Sequence, residues 1–302
     1  MDSTAVKIPG PDYPAPAKLN LFLHVVGRRE DGYHLLQTIL TLIDYGDRLR
    51  FRKRNDGIIG RVNDLPGVAP ESDLAIRAAK MLQRETGIRF GADVELEKRI
   101  PIGGGLGGGS SDAATTLIVL NHLWGTGLTR AELQAIGLNL GADVPFFIFG
   151  QSAFAEGVGE KLQPIDLPQL WYLVLTPPVT VATAQVFGHP NLTTDTNPLK
   201  IRNFSAAALL PLLKHLKNDL EPVVGATFPE VASYLNALSH VSQDSFFAAG
   251  ERNARMTGSG ACVFAAFENE TAALKAKRRL PDTLQGFIAE GLNHHPLFAL
   301  SR

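Results

Sequence analysis

The stretch that most limits how this chain can fold runs from Pro101 to Asp112, where six of the seven residues from Gly103 to Gly109 are glycine. A strand-like run, Ala92 to Glu97, precedes it. After it, the spacing of Ala113, Ala114, Leu117, Ile118, Leu120 and Trp124 predicts a mostly buried helix over 113–123. Ser110, Ser111 and Asp112 are side chains of the type that caps a helix N-terminus. Consecutive glycines cost conformational entropy, which is justified where backbone must approach a ligand closely. A loop between a strand and a helix N-terminus turns N–H groups and the positive end of the helix dipole toward one point. That arrangement suits phosphate. A flexible linker would have polar sequence on both sides, and this loop runs straight into an apolar helix.

Gly103, Gly105 and Gly108 satisfy G-x-G-x-x-G, but a dinucleotide fold also needs a strand ending in an acidic residue about 20 residues on. Here the helix is followed by Gly125 and Gly127 and by a second helical run, Thr129 to Ile136. A Gly-Lys-Ser/Thr signature and the H-R-D and D-F-G pair of protein kinases are both absent. Pro101 to Ser111 instead resembles the ATP loop of the superfamily of galactokinase, homoserine, mevalonate and phosphomevalonate (GHMP) kinases. The doubled glycine triplet with Ser110, Ser111 and Asp112 behind it is similar to the branch whose members phosphorylate a cytidine-diphospho methylerythritol.

Ala15 to Val26 predicts a strand with Lys18 and Asn20 on one side; by itself this reads as an exposed strand with a surface lysine. The resemblance places Lys18 beside the reacting hydroxyl and Asn20 at the substrate. Asp31 and Gly32 form a turn before Tyr33 and His34, an aromatic and an imidazole able to stack on and hydrogen-bond a base. The resemblance assigns that pair to cytidine, and Phe187 is either a second stacking face or a core aromatic. Asp143 stands alone among apolar residues in the run Leu140 to Phe149, so it is an N-cap or a functional carboxylate. In the resembled family it is the base that takes the hydroxyl proton.

Lys98 is either a solvated lysine at a strand end or a nucleotide contact. A helix is predicted over 73–85 with Gly87 as its C-cap. The family often has Asn at the position of Asp73, where an adenine-side contact is implied, and Asp cannot donate as Asn does. Thr183 is predicted to cap a helix. Met256 to Phe267 forms a second glycine turn leading into an apolar strand, and Cys262 reads as core. The run Arg48 to Arg54 reads as a solvated strand face.

Hydrophobic residues make up 45% of the 302 and net charge is −1, which suits a globular chain without a broad basic field for nucleic acid or anionic lipid. With one cysteine no internal disulfide forms, a cytoplasmic trait. No run spans a membrane and no metal-ligand spacing is present. The expected architecture is α+β: a nucleotide-binding domain over 1–163 and a ferredoxin-like domain over 164–302, with the active-site cleft between them. The resemblance implies ATP and Mg²⁺ as cofactors, a small-molecule alcohol as substrate, and a place in the non-mevalonate isoprenoid route. A different small-molecule kinase of this superfamily and a non-catalytic nucleotide sensor are the alternatives.

Overall fold

The computed structural model describes residues 8–200, 211–247 and 253–301. Two long strands form its spine: β1 (Tyr13–Arg28) and β2 (His34–Arg54), antiparallel with Lys18 opposite Leu42 and Asn20 opposite Leu40. The alternation predicted for β1 is interrupted by a bulge between Asn20 and Phe22, and both of its faces are covered, so Leu19, Leu21 and Phe22 are all buried. The second half of β2 pairs with β4 (Gly91–Glu97), which carries β3 (Ile59–Arg61) in parallel. The first half of β2 pairs with β5 (Ala153–Gly157), itself in a hairpin with β6 (Lys161–Pro164).

The solvated face expected of the arginine run holds for Arg48, Arg52 and Lys53, which are exposed, but not for Arg50. Arg50 is buried between Asp12 and Glu95, while Arg52 and Arg54 both pair with Asp93 of the neighbouring strand. Cross-strand partners convert the charge run into a ladder that specifies register.

Helices α1 (Leu74–Thr86), α2 (Gly108–Trp124), α3 (Arg130–Leu138) and α4 (Val144–Phe149) cover this sheet. Asp73 caps α1 by accepting from Ala75 N, and Gly87 ends it in the left-handed region, as predicted. Thr129 and Glu132 form a reciprocal capping box on α3.

The remaining elements are β7 (Trp171–Leu175), α5 (Thr183–Phe187), α6 (Glu221–Thr227), α7 (Pro229–Val241), β8 (Arg255–Met256), β9 (Val263–Phe267), α8 (Glu270–Lys277) and β10 (Gly286–Leu292). Their antiparallel order β10-β7-β9-β8 gives the βαββαβ plan of a ferredoxin-like unit. Gly291 and Leu292 of β10 also pair with β2, which joins the two sheets edge to edge. A shared cluster reinforces the joint: Leu19, Phe22 and Ile39 from β1 and β2 pack with Tyr172 and Phe264 from β7 and β9. Each of these buried side chains contributes ~1.5–3 kcal/mol. Among the described residues, no helix is long and apolar enough to cross a membrane.

Residues 293–301, for which the sequence offered no signal, return to α2, α3 and the end of α4. His295 N donates to Gly150 O, and Arg130 holds the carbonyls of Phe149 and Phe298. Burial, and then the Arg130 guanidinium, pushes the His295 imidazole down from 6.5 to about 4. The unfolded chain accepts a proton near pH 6.5 that the folded chain refuses until about pH 4. This neutral histidine therefore contributes about 3 kcal/mol that is complete above pH 6.5 and is lost as pH falls toward 4. His295→Asn keeps an acceptor for Leu297 N and is expected to flatten that part of the pH–stability curve, as read by urea midpoints at pH 7 and pH 4.

Candidate active site

The glycine loop lines one wall of a cleft of about 1040 Å³, at the upper end of what one small molecule fills. Helix α2 starts earlier than predicted, at Gly108. Its N-cap is Gly107 at φ 73°, so neither Ser110, Ser111 nor Asp112 caps it. A glycine can take this left-handed cap without a side chain, which moves the helix N-terminus into the loop itself. The first N–H groups of α2 thereby join the glycine wall.

Pro101, Gly103, Gly104, Gly105, Leu106 and Gly107 all contribute to the lining, as do Gly108, Gly109 and Ser110. Ser111 does not: it is fully buried and its hydroxyl donates to Pro16 O, tying α2 to β1. The second glycine turn interlocks with the first. Ala261 N donates to Gly103 O, Cys262 N to Gly104 O, and Lys18 N to Leu106 O from the other side. Cys262 is core, as predicted, and burial pushes its thiol up to about 12.

Lys18 is not the exposed lysine of the plain strand reading; it is 4% exposed. Asn20 Nδ2 donates to Thr38 Oγ1 at 3.0 Å, which turns Asn20 Oδ1 toward the Lys18 ammonium, its hydrogen-bond donor. Asp143 Oδ2 lies 3.5 Å from Lys18 Nζ, with the carboxylate side chain 41% exposed to the cleft. Asp143 is the N-cap residue of α4 yet makes no side-chain capping bond, so neither oxygen is spent on the helix backbone.

At one end of the cleft the His34 and Phe187 rings lie 5.2 Å apart, beside Tyr33, which is 64% exposed. Burial, and then Arg28, lowers the His34 pKa, so its imidazole is neutral at pH 7 and can both donate and accept. Thr183 begins α5 and does not cap it; its hydroxyl shares a 2.8 Å hydrogen bond with Ser259 of the second glycine turn.

Lys98 is not solvated either. Its ammonium bridges Asp47 and Asp112, and burial works against its charge less than the two carboxylates support it, holding its pKa above the ordinary lysine value. From sequence Asp47 had no role and Asp112 only that of a helix cap. Asp47 sits in an unremarkable strand and Asp112 looked like a cap; only the fold brings them to Lys98.

The GHMP kinases N terminal domain model matches residues 73–151, and the GHMP kinases C terminal model matches residues 201–286. Over 284 residues the chain is 57% identical to 4-diphosphocytidyl-2-C-methyl-D-erythritol kinase of Nitrosospira multiformis, covering 94% of this chain and 92% of that one. The chain belongs to the 4-diphosphocytidyl-2-C-methyl-D-erythritol kinase family. The same-named protein of Thiobacillus denitrificans is 56% identical over 95% of this chain and 97% of its own length. A crystal structure of 4-(cytidine 5'-diphospho)-2C-methyl-D-erythritol kinase superposes with a TM-score of 0.77 at 33% identity, covering 93% of this chain and 99% of that one. Homoserine kinase from Cytophaga hutchinsonii shares the fold at a TM-score of 0.67 and 15% identity, over 96% and 98% of the two chains. The α+β architecture expected from sequence is thus that of the GHMP kinases, and a kinase of this superfamily uses ATP.

The glycine loop is intolerant where the two glycine turns meet. A Cβ on Gly105, at φ 74°, would lie 2.4 Å from Thr257 O, whereas on Gly109 it would meet only Leu74 Cδ1, at 3.2 Å. Gly105→Ala is expected to cost about 2 kcal/mol or more and to separate the turns, with Gly109→Ala within about 1 kcal/mol of the native protein, as read by denaturant midpoints.

Proposed function

We propose that this chain transfers the γ-phosphoryl group of ATP to the 2-hydroxyl of 4-diphosphocytidyl-2-C-methyl-D-erythritol, in the non-mevalonate isoprenoid route. One observation carries the assignment of chemistry: the buried Lys18 ammonium 3.5 Å from the Asp143 carboxylate, beside the glycine wall. In this reading Asp143 takes the hydroxyl proton, the freed oxygen attacks the γ-phosphorus, and the bond to the bridging oxygen breaks to release ADP. Lys18, aimed by Asn20, orients the hydroxyl and offsets the charge that develops on it. Loop residues 101–111 hold the phosphate chain through backbone N–H groups. Ser110 supplies the one serine hydroxyl of the pair that faces the cleft, and Ser111 acts only by anchoring α2.

Tyr33, His34 and Phe187 form the cytosine end, where a neutral imidazole can pair with a base held against aromatic faces. Among the described residues, no group of three or more His, Cys, Asp or Glu is placed to hold a metal unaided. That suits Mg²⁺ entering with the nucleotide; Ser110, which lines the cleft, would be the side chain to help hold it, and the ion would supply charge neutralisation on the transferring group. We further take 1–163 as the nucleotide-binding domain and 164–302 as its partner, with the cleft between them. A cytoplasmic enzyme with no nucleic-acid partner fits the buried free thiol and the net charge of −1.

Turnover of the cytidine-diphospho alcohol with ATP, run beside mevalonate and homoserine, tests the reaction; phosphorylation of only another alcohol would discard the substrate. Asp143→Asn is expected to lower kcat by about 10²–10⁴-fold while ADP affinity stays within about threefold, and near-native turnover would refute the base. Because stacking on a base is worth about 1–3 kcal/mol, His34→Ala should raise KM for the alcohol roughly tenfold and leave KM for ATP in place.

A further inference from the structure

Beneath the glycine loop lies a buried charge cluster that the reaction as described does not use. Lys98 Nζ is held at 2.8 Å by Asp112 Oδ2 from α2 and, from the opposite side, by Asp47 Oδ2 from β2. Asp47 is fully buried, and its other oxygen accepts from Arg99 N and from Ile100 N at 2.8 Å, the last two residues before Pro101. One side chain thus fixes both the backbone entering the loop and the ammonium under it. The ammonium sits against the first turn of α2: a Cβ on Gly108 would lie 3.2 Å from Lys98 Nζ. Lys98 and Asp112 also contribute to the cleft lining, and Asp112 Oδ1 is buried with no hydrogen-bond partner. A free lysine has a flexible four-carbon stem, so an ammonium held in place before a ligand arrives loses little freedom on binding.

We propose that Asp47 and Asp112 are positioning residues that hold Lys98 as the cation for the phosphate chain of the nucleotide. This rests on the reading of the loop as the ATP site. Two opposite effects follow from removing Asp47's charge. Lys98 is released from its place, which weakens a contact charge-assisted hydrogen bond to phosphate; a negative charge is also removed from the vicinity, which strengthens attraction to phosphate. The contact bond depends steeply on placement, whereas the repulsion from Asp47 acts at longer range, so positioning outweighs charge.

Asp47→Asn retains an acceptor for Arg99 N and Ile100 N but sets an amide against Lys98. In Asp47→Asn, ADP titrated in the presence of Mg²⁺ is expected to bind about tenfold more weakly, and KM for ATP to rise by a similar factor. KM for the alcohol should stay within about twofold, a split that general loosening of the fold would not produce. Adding Lys98→Met to Asp47→Asn should weaken ADP little further, because both changes act on one contact. If Asp47→Asn does not fold, Asp112→Asn, which leaves the clamp on residues 99–100 intact, carries the same measurements. Unchanged or tighter ADP binding, or equal rises in both KM values, would overturn the proposal while leaving the kinase reading intact. Failure of the unsubstituted protein to bind ADP would overturn the nucleotide reading, and this proposal with it.

Discussion

The site depends on what happens to the carbonyl groups of the glycine loop. A backbone that is to receive an anion must turn its N–H groups toward the cleft and its carbonyls away, and buried carbonyls need donors. Here the carbonyls of Gly103, Gly104 and Leu106 are taken by Ala261 N, Cys262 N and Lys18 N. Two of the donors come from the second glycine turn and one from β1, so the loop is gripped by distant parts of the chain. The grip requires close approach of backbone to backbone, which a side chain at Gly105 would prevent. Glycine is needed here as much for the protein's own contacts as for the ligand's.

The same grip places the reacting groups. Asn20 N donates to Thr257 Oγ1 of the second turn, while Asn20's side chain is aimed by Thr38 and in turn aims Lys18. Asn218 closes the arrangement from behind, donating to the carbonyls of Met256 and Gly258. Lys18 is therefore oriented by residues from β1, β2 and the turn before β9 together. The cluster of Leu19, Phe22, Ile39, Tyr172 and Phe264 keeps these elements in register. Where reacting groups must be held within a fraction of an ångström, support from a packed joint is more precise than support from a loop alone.

Much of this was legible in the chain because certain residues have few acceptable surroundings. Six glycines ahead of an apolar helix, and a lone carboxylate between Gly141 and Pro145, both call for a special environment. The structure brings Lys18 and Asp143, the pair singled out from sequence, to one point. The start of α2 was misplaced because capping preferences describe side chains, whereas Gly107 caps through backbone conformation alone. Within Arg48 to Arg54 the burial of Arg50 and the cross-strand pairing of Arg52 and Arg54 were missed, because the partners lie far off in sequence, on β4 and at Asp12. Asp47 was invisible for the same reason: its partners, Lys98 to Ile100, are brought to it only by strand pairing. Residues 293–301 hold α2, α3 and the end of α4 through contacts that no periodicity announces.

Asp73, where the resemblance implied Asn, is fixed by its buried surroundings. Its Oδ1 caps α1 through Ala75 N and its Oδ2 accepts from Arg61 at 2.8 Å, with both side chains almost fully buried. Arg61 spends its other donors on the carbonyls of Asn63 and Val68, so the pair fastens the 63–68 loop to the start of α1. An Asn at this position would cap the helix equally well, but it would leave the buried guanidinium without a counter-charge. Burying such a pair adds little net stability, because desolvation offsets the attraction, yet removing one partner is costly. Asp73 and Arg61 therefore stand or fall together, and their joint effect is to specify the shape of the loop that borders the cleft beyond the glycine wall.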